Sequence, residues 1–191
     1  MNADDIVVRR LKPADAEKYR QIRLAGLEDA PEAFGSTFES ESLRPLSSFA
    51  ERLGSSAVFG AFRGGELVGI AGFAIRTGAK EAHKGLLWGM YVRPDARKCG
   101  VGQRLVEAII DFAREQVEIL QLSLVSDNEP ARRLYARLGF VEYGLEKNSL
   151  KYCGRYYDEI LMAFDLRAEP AGSAPSAGTT VSQRVLEPSV P

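Results

Sequence analysis

A glycine-rich loop between a predicted buried strand and a predicted amphipathic helix constrains the fold of this chain more than any other feature. The loop is Arg97–Gly102, and it follows the apolar run Leu86–Val92, which is typical of a buried strand. Beyond the loop, apolar residues from Leu105 to Ala113 recur at helical spacing, with polar residues on the opposite face. Unpaired N–H groups at a helix N-terminus bind anions, and glycines let a ligand reach the backbone. The loop is therefore predicted to bind a diphosphate.

Two well-known phosphate-binding loops do not fit these residues. A P-loop ends in Gly-Lys followed by Ser or Thr, whereas Gly102 is followed by Gln103 and Arg104. A dinucleotide fingerprint needs a third small residue three positions after its second glycine, and Leu105 stands there. Nucleotide binding is thus disfavoured. On the loop alone, an ordinary strand-to-helix connection that binds nothing stays an alternative.

The rest of the sequence predicts a mixed α+β sheet. A strand over 6–11 precedes a helix from Pro13 to about Glu28, on which Arg23 lies in one run with Tyr19, Ile22 and Gly26. We expect a second helix between about 39 and 53, which Pro45 begins or kinks. The later elements are a hairpin over 57–73, a strand over 119–125, a helix over about 129–138 and an antiparallel pair over 141–166.

Two stretches of this sequence resemble the signature motifs of the GNAT superfamily of N-acetyltransferases. The residues Met90–Pro94, followed by the loop with its glycines, are similar to the family's acetyl-coenzyme A pyrophosphate motif. Asn128–Ala131 and Leu134–Phe140 are similar to its second motif, in the expected order and spacing. The resemblance runs from about Ile6 to about Leu166. It implies an α+β GNAT fold, a mixed, mostly antiparallel central sheet flanked by helices, and acetyl-coenzyme A as co-substrate.

The resemblance also implies roles for individual residues. The strand before the loop would contact the pantetheine arm and the acetyl carbonyl, and the loop would hold the pyrophosphate. Tyr135 would be the general acid, and packing on a buried face is its alternative. The implied coenzyme-binding set is Met90, Tyr91, Val92, Arg97, Lys98, Cys99, Gly100, Val101, Gly102, Asn128 and Tyr135.

Three positions in or near these motifs leave alternatives open. Asn128 suits a simple helix N-cap as well as a coenzyme contact, and the two roles are compatible. Cys99 departs from the family pattern, which more often has a basic or small residue there, so its backbone is the expected contact. Gly89 suggests either a bulge that frees an N–H group to face the acetyl carbonyl or a glycine kept for packing.

Acetyl transfer to an amine needs a proton donor for the departing thiolate and a base for the incoming amine. A tyrosine phenol with a pKa near 10 keeps a proton to donate at neutral pH. The base is not identifiable from the sequence, and its candidates are Glu39, Glu41 and Asp158. By resemblance, we expect the acceptor to meet Phe34, Gly35 and Phe38. Asp158 on the last strand is a further substrate-binding candidate.

The predicted function is an N-acetyltransferase that moves the acetyl group of acetyl-coenzyme A onto a primary amine by direct attack in a ternary complex. The amine belongs to a small molecule, a peptide or a protein. The alternative is a non-catalytic acyl-coenzyme A-binding sensor or scaffold, which the absence of an identified base leaves open.

Composition limits the other function classes. The 191 residues carry a formal net charge of −1, which argues against nucleic-acid binding. Two cysteines and one histidine, far apart in sequence, predict no metal site. No apolar signal core or membrane span is evident, so we expect a cytoplasmic protein with no membrane partner. We expect one domain over 1–167 and a disordered Ala/Pro/Ser/Gly-rich tail over 168–191. The last strand leaves open pairing with a second copy as a homodimer.

Overall fold

A computed structural model describes residues 5–167 of the chain, and the tail predicted over 168–191 lies outside them. Strands and helices follow in nearly the predicted order. The strands are β1 (Ile6–Arg10), β2 (Ala57–Arg63), β3 (Glu66–Ile75), β4 (Lys84–Val92), β5 (Ile119–Val125), β6 (Val141–Tyr152) and β7 (Arg155–Asp165). The α-helices are α1 (Ala16–Asp29), α2 (Phe38–Ser42), α3 (Leu46–Ser55), α4 (Val101–Arg114) and α5 (Glu129–Arg137).

The single helix expected between about 39 and 53 is in fact two helices. α2 ends at Ser42, and α3 begins at Leu46, directly after Pro45. Proline has no N–H group and fits only the start of a helix, so a new helix begins there. The short α2 places Glu41, a buried acid, beside α1.

The strands form one sheet in the order β1-β2-β3-β4-β5-β7-β6. β4 and β5 are parallel, and the other neighbouring pairs are antiparallel. α4 connects β4 to β5, because parallel strands need a crossover connection. The mixed, mostly antiparallel sheet predicted from the sequence is confirmed.

β4 and β5 separate from each other part of the way along the sheet. Their pairing runs only from Lys84 with Ile119 to Leu86 with Gln121. Beyond that point β4 continues to Val92 with no further pairing to β5 in the described part of the chain. The result is a wedge-shaped gap in the middle of the sheet, whose walls carry unpaired backbone groups.

Gly89 lies in a β-bulge on the β4 wall of this gap. Gly89 and Met90 together oppose one residue of β3, between Ile70 and Gly72. Gly89 has a φ of +62°, a left-handed conformation that costs other residues about 1–2 kcal/mol. A bulge leaves its extra residue unpaired in the ladder, so the structure shows the bulge that the sequence left open.

Helices cover both faces of the sheet. α4 and α5 pack on one face, where Leu105, Ile109 and Tyr135 belong to one buried cluster. α1 and α3 pack on the other face, where Tyr19 and Phe49 belong to a second cluster. The wedge therefore opens between two separately packed cores.

Among the described strands, β1 and β6 are the edges of the sheet, and β6 is largely exposed. The last strand, β7, is paired on both sides by β5 and β6, so the expectation that the last strand could pair with a second copy is wrong. Val141, Tyr143 and Leu145 are each more than half exposed along it. Apolar residues on a sheet edge favour pairing with another strand, but a homodimer stays a prediction.

Within residues 5–167, no helix has both the length and the apolar character needed to cross a membrane. The same residues hold no group of three or more His, Cys, Asp or Glu side chains arranged to bind a metal ion. The cytoplasmic location and the metal-free chemistry expected from the sequence stay predictions.

Candidate active site

The glycine-rich loop lies at the N-terminus of α4, beside the end of β4. Lys98 and Gly100 have φ values of +63° and +79°, and these left-handed residues turn the chain into the helix. None of the described residues accepts a hydrogen bond from the backbone N–H groups of residues 98–103. A side chain built on Gly100 would point into open space. The loop therefore presents unpaired donors on an accessible surface, as an anion site requires.

The side chains of the loop have roles that differ from the role of its backbone. The Arg97 guanidinium forms an ion pair with Asp29 of α1, and its Nε donates to the Val92 carbonyl at 3.0 Å. The Cys99 thiol donates to the Arg97 carbonyl at 3.5 Å. Arg97 thus ties the loop to α1 and β4, while Lys98 is an exposed cation in the same loop.

Three segments, from the two sequence motifs, meet beside the wedge. A Cβ atom built on Gly102 would lie 3.1 Å from Met90 Cε and 3.2 Å from Leu134 Cδ2. The Tyr135 hydroxyl donates to Met90 Sδ at 3.3 Å. The start of α4, the bulged part of β4 and α5 are therefore in contact, which unites the two sequence motifs in one place.

Tyr135 is buried, with 6% of its surface exposed, and its ring packs edge-on against Phe140 at 5.6 Å. Burial raises the pKa of the Tyr135 phenol well above its ordinary value of 10. The hydroxyl therefore keeps its proton through the neutral and mildly alkaline range. It points at the sulfur of Met90 next to the bulge, so both alternatives left by the sequence, packing and proton donation, fit this geometry.

Asn128 is the N-cap of α5. Its Oδ1 accepts the N–H group of Ala131 at 3.2 Å. This is the capping role foreseen for it. Its side-chain NH₂ donates to no described residue, so the coenzyme contact stays a compatible prediction.

A cavity of about 240 Å³ opens against α1 beside the bulge. Phe34 and Gly35, two residues predicted to meet the acceptor, line it together with Trp88 and Gly89. Phe38 and Asp158, the other two predicted acceptor residues, are not among its lining residues. Two charged residues that the sequence analysis did not select, Arg23 and Glu159, complete the polar part of the wall.

Glu159 is the carboxylate of this cavity. The hydroxyls of Ser123 and Ser149 donate to its two oxygens, at 2.8 Å and 2.6 Å. These bonds hold the carboxylate in one orientation at the cavity wall.

The three base candidates chosen from the sequence lie elsewhere. Asp158 Oδ1 accepts the backbone N–H group of Asn148 at 2.8 Å, beside a separate shallow cavity. Glu39 is exposed on α2. Glu41 is 2% exposed and pairs with Arg23 and Arg52.

Glu41 is poorly suited to take a proton. Burial acts to raise the pKa of Glu41, but hydrogen bonds and charge from Arg52 and Arg23 outweigh it and lower the pKa below its ordinary value. The carboxylate therefore stays ionised as the partner of two cations.

Arg23 and Glu159 were missed for different reasons. The position of Arg23 could have been noticed in the sequence, because a cation in one run with Tyr19, Ile22 and Gly26 lies in the buried stripe of α1. Glu159 and Asp158 are adjacent in β7, and successive side chains of a strand point to opposite faces. Which of the two faces the cavity depends on the pairing of β7, which the sequence does not show.

Comparisons with known proteins identify the family of this chain. Residues 24–140 match the model of the acetyltransferase (GNAT) family. N-alpha-acetyltransferase RimI of Mycobacterium tuberculosis is 30% identical over 155 residues, 80% of this chain and 89% of that protein. The L-methionine sulfoximine/L-methionine sulfone acetyltransferase of Pseudomonas aeruginosa is 34% identical over 87 residues, 45% of this chain and 49% of that protein.

A solved structure shows the same fold. The structure of yncA from Salmonella typhimurium with its cofactor acetyl-CoA matches with a TM-score of 0.72 at 21% identity, over 90% of this chain and 99% of that one. The fold class predicted from the sequence is thereby confirmed. The family match and the RimI match together show that this chain belongs to the GNAT family of acetyltransferases.

Proposed function

We propose that this protein is an acetyl-coenzyme A-dependent N-acetyltransferase that acts by direct attack of a primary amine in a ternary complex. The observation that carries the proposal is the meeting of the α4 loop, the bulged strand and Tyr135 at the wedge between β4 and β5. The loop would bind the pyrophosphate, and the wedge would admit the pantetheine arm between the two strands.

The reaction needs one donor and one acceptor of protons. The amine nitrogen attacks the acetyl carbonyl carbon, and the carbon–sulfur bond then breaks. Tyr135 would give its proton to the departing sulfur, since its buried phenol is protonated at neutral pH. Glu159 would take the proton from the amine, because it is the carboxylate that lines the cavity beside the bulge.

Two substitutions of equal size at Gly100 test the coenzyme site. Asn and Asp tolerate a left-handed φ better than other side chains, and a side chain here enters open space at the loop. Gly100→Asp adds a negative charge where Gly100→Asn does not. Repulsion of the coenzyme phosphates predicts that Gly100→Asp binds acetyl-coenzyme A at least about tenfold more weakly than Gly100→Asn.

The measurements are calorimetric titration with acetyl-coenzyme A and thiol release with a panel of primary amines. Equal affinity of the two Gly100 variants would show that the phosphates bind elsewhere. Tight coenzyme binding without thiol release from any amine would favour a non-catalytic acyl-coenzyme A-binding protein.

A further inference from the structure

Arg23 carries donor groups that the protein itself does not use. Its side chain is 6% exposed, and its Nη2 donates to Glu41 at 3.3 Å. Its Nε and Nη1 are buried, and no described residue accepts a hydrogen bond from them. Buried polar groups are almost always hydrogen-bonded, so two idle donors on one guanidinium call for a missing acceptor.

The surroundings of Arg23 leave a positive charge uncompensated. Glu41 carries one negative charge and is shared by Arg23 and the partly buried Arg52, so the three side chains together have a formal charge of +1. The ring of Phe34 lies over the Arg23 guanidinium at 4.8 Å and offsets part of that charge. The positive charge that remains favours an anion beside the idle donors of Arg23.

Arg23 lines the cavity, and its idle Nη1 would lie 3.5 Å from a Cβ atom built on Gly89, the bulge residue of the same wall. The coenzyme phosphates do not suit this position. The loop that would hold them follows Val92, and the strand from Gly89 to Val92 alone spans about 10 Å.

Glu159 gives the same cavity an opposite charge at a second point. It forms no ion pair with Arg23 within residues 5–167, so the cation and the anion stand apart on the wall. A ligand that presents one negative and one positive group matches this arrangement. A carboxylate is the anion that a guanidinium binds best, through charge-assisted hydrogen bonds, and Nη1 of Arg23 has a donor free for one.

We propose that the acceptor is a free amino acid whose carboxylate binds Arg23 and whose amine lies beside Glu159. This inference rests on the proposed function for its chemistry and extends it to a substrate class. The cavity suits such a small molecule, since its volume of about 240 Å³ lies below the roughly 300–1,000 Å³ of pockets for drug-sized ligands. Phe34 and Trp88 in the wall favour acceptors with an apolar side chain.

The test compares each of the twenty L-amino acids with its carboxamide, which keeps the amine and removes the negative charge. Thiol release is measured with the full chain and acetyl-coenzyme A. We expect kcat/KM for the best amino acid to exceed that for its amide by at least about tenfold. Equal or better use of the amide, or preference for a peptide N-terminus, would overturn the proposal.

Arg23→Lys, with Arg52→Lys as its matched control, separates recognition from structure. Both variants keep a cation for Glu41, but only Arg23 lines the cavity. Arg23→Lys should raise KM for the amino acid at least about tenfold and leave kcat/KM for the amide within about threefold, with an unchanged KM for acetyl-coenzyme A. Arg52→Lys should affect both acceptors alike. Equal losses on both acceptors in Arg23→Lys would assign Arg23 a structural role only.

A binding measurement keeps this proposal distinct from the proposed function. If no amine supports thiol release, the proposed function fails. Calorimetric titration of the coenzyme-loaded protein with the amino acids and their amides then decides the question by itself. Binding of an amino acid but not of its amide supports the Arg23 site, and absence of binding by both overturns it.

Discussion

Removal of one hydroxyl group, by Tyr135→Phe, should nearly abolish turnover while it leaves the fold and the coenzyme affinity almost unchanged. The ring stays and keeps its edge-on packing against Phe140. The hydroxyl donates to Met90 Sδ, and a thioether is a weak acceptor. Loss of this bond should therefore change the free energy of unfolding by less than about 1 kcal/mol.

The effect on catalysis should be much larger than the effect on stability. General acid catalysis contributes about 10²–10⁴-fold to a rate, which equals about 2.7–5.5 kcal/mol of the activation barrier. We expect kcat to fall by at least about 100-fold, with the Kd for acetyl-coenzyme A changed less than about threefold. The assays are thiol release with the best amine, calorimetric titration with acetyl-coenzyme A, and urea unfolding.

The pH dependence gives a second check on the same residue. Because burial raises the pKa of Tyr135 above 10, the phenol stays protonated as the pH rises to about 9.5. If the kcat of the wild-type protein falls in that range, ionisation of Tyr135 is not the cause, so Tyr135→Phe should not remove the fall. Tyr143→Phe is the matched control, since it removes the same group from an exposed edge strand. A Tyr135→Phe variant that keeps more than half of the wild-type kcat would refute the role of Tyr135 as the acid.

Three further substitutions test the rest of the site. Glu41→Gln should lower the free energy of unfolding by about 3–5 kcal/mol at pH 7, because it leaves the buried Arg23 and the partly buried Arg52 without a counter-charge. The pKa of Glu41 is lowered in the folded protein, so the ionised carboxylate stabilises the fold fully above the ordinary glutamate pKa and less as the pH falls below it. Urea unfolding from pH 7 to pH 3 should therefore show a shrinking difference in the free energy of unfolding between wild type and Glu41→Gln. Gly89→Ala should cost about 1–2 kcal/mol in urea unfolding, because φ is +62° there, and a variant as stable as wild type would contradict the bulge. Glu159→Gln should lower kcat by about 100-fold or more in the thiol-release assay, whereas Glu146→Gln, on the exposed neighbouring strand, should not.

Local sequence chemistry predicted most of the elements, and the one boundary that it left open, at Pro45, was decided by packing. The strand, loop and helix around residues 86–114 followed from apolar period and glycine placement. The helix expected over 39–53 broke because Pro45 begins a new helix. A proline signals a boundary of either kind, a kink or a new start, and only the packing of α2 against α1 selects between them.

The residues proposed to bind the acceptor amine were much less predictable than those proposed to bind acetyl-coenzyme A. The residues of the coenzyme side cluster in two short motifs, so their spacing along the chain is enough to predict them. Arg23 and Glu159 come from α1 and β7, which are more than a hundred residues apart in sequence. They share a cavity only because β7 pairs next to β5 and α1 packs over the bulged strand.

By itself, the sequence determined the family, and it supplied the acetyl-coenzyme A and the proton donor that we propose, since each depends on residues that are neighbours along the chain. Only the tertiary structure decided where β4 and β5 separate. The two strands pair at three positions, and β4 then forms a bulge opposite β3, and both features depend on contacts between distant parts of the chain. It also decided which of two adjacent acids in β7 faces the cavity, since the strand's pairing sets which side each residue takes. The uncompensated charge on Arg23 was also decided by the tertiary structure, because it exists only where α1, α2 and β4 meet.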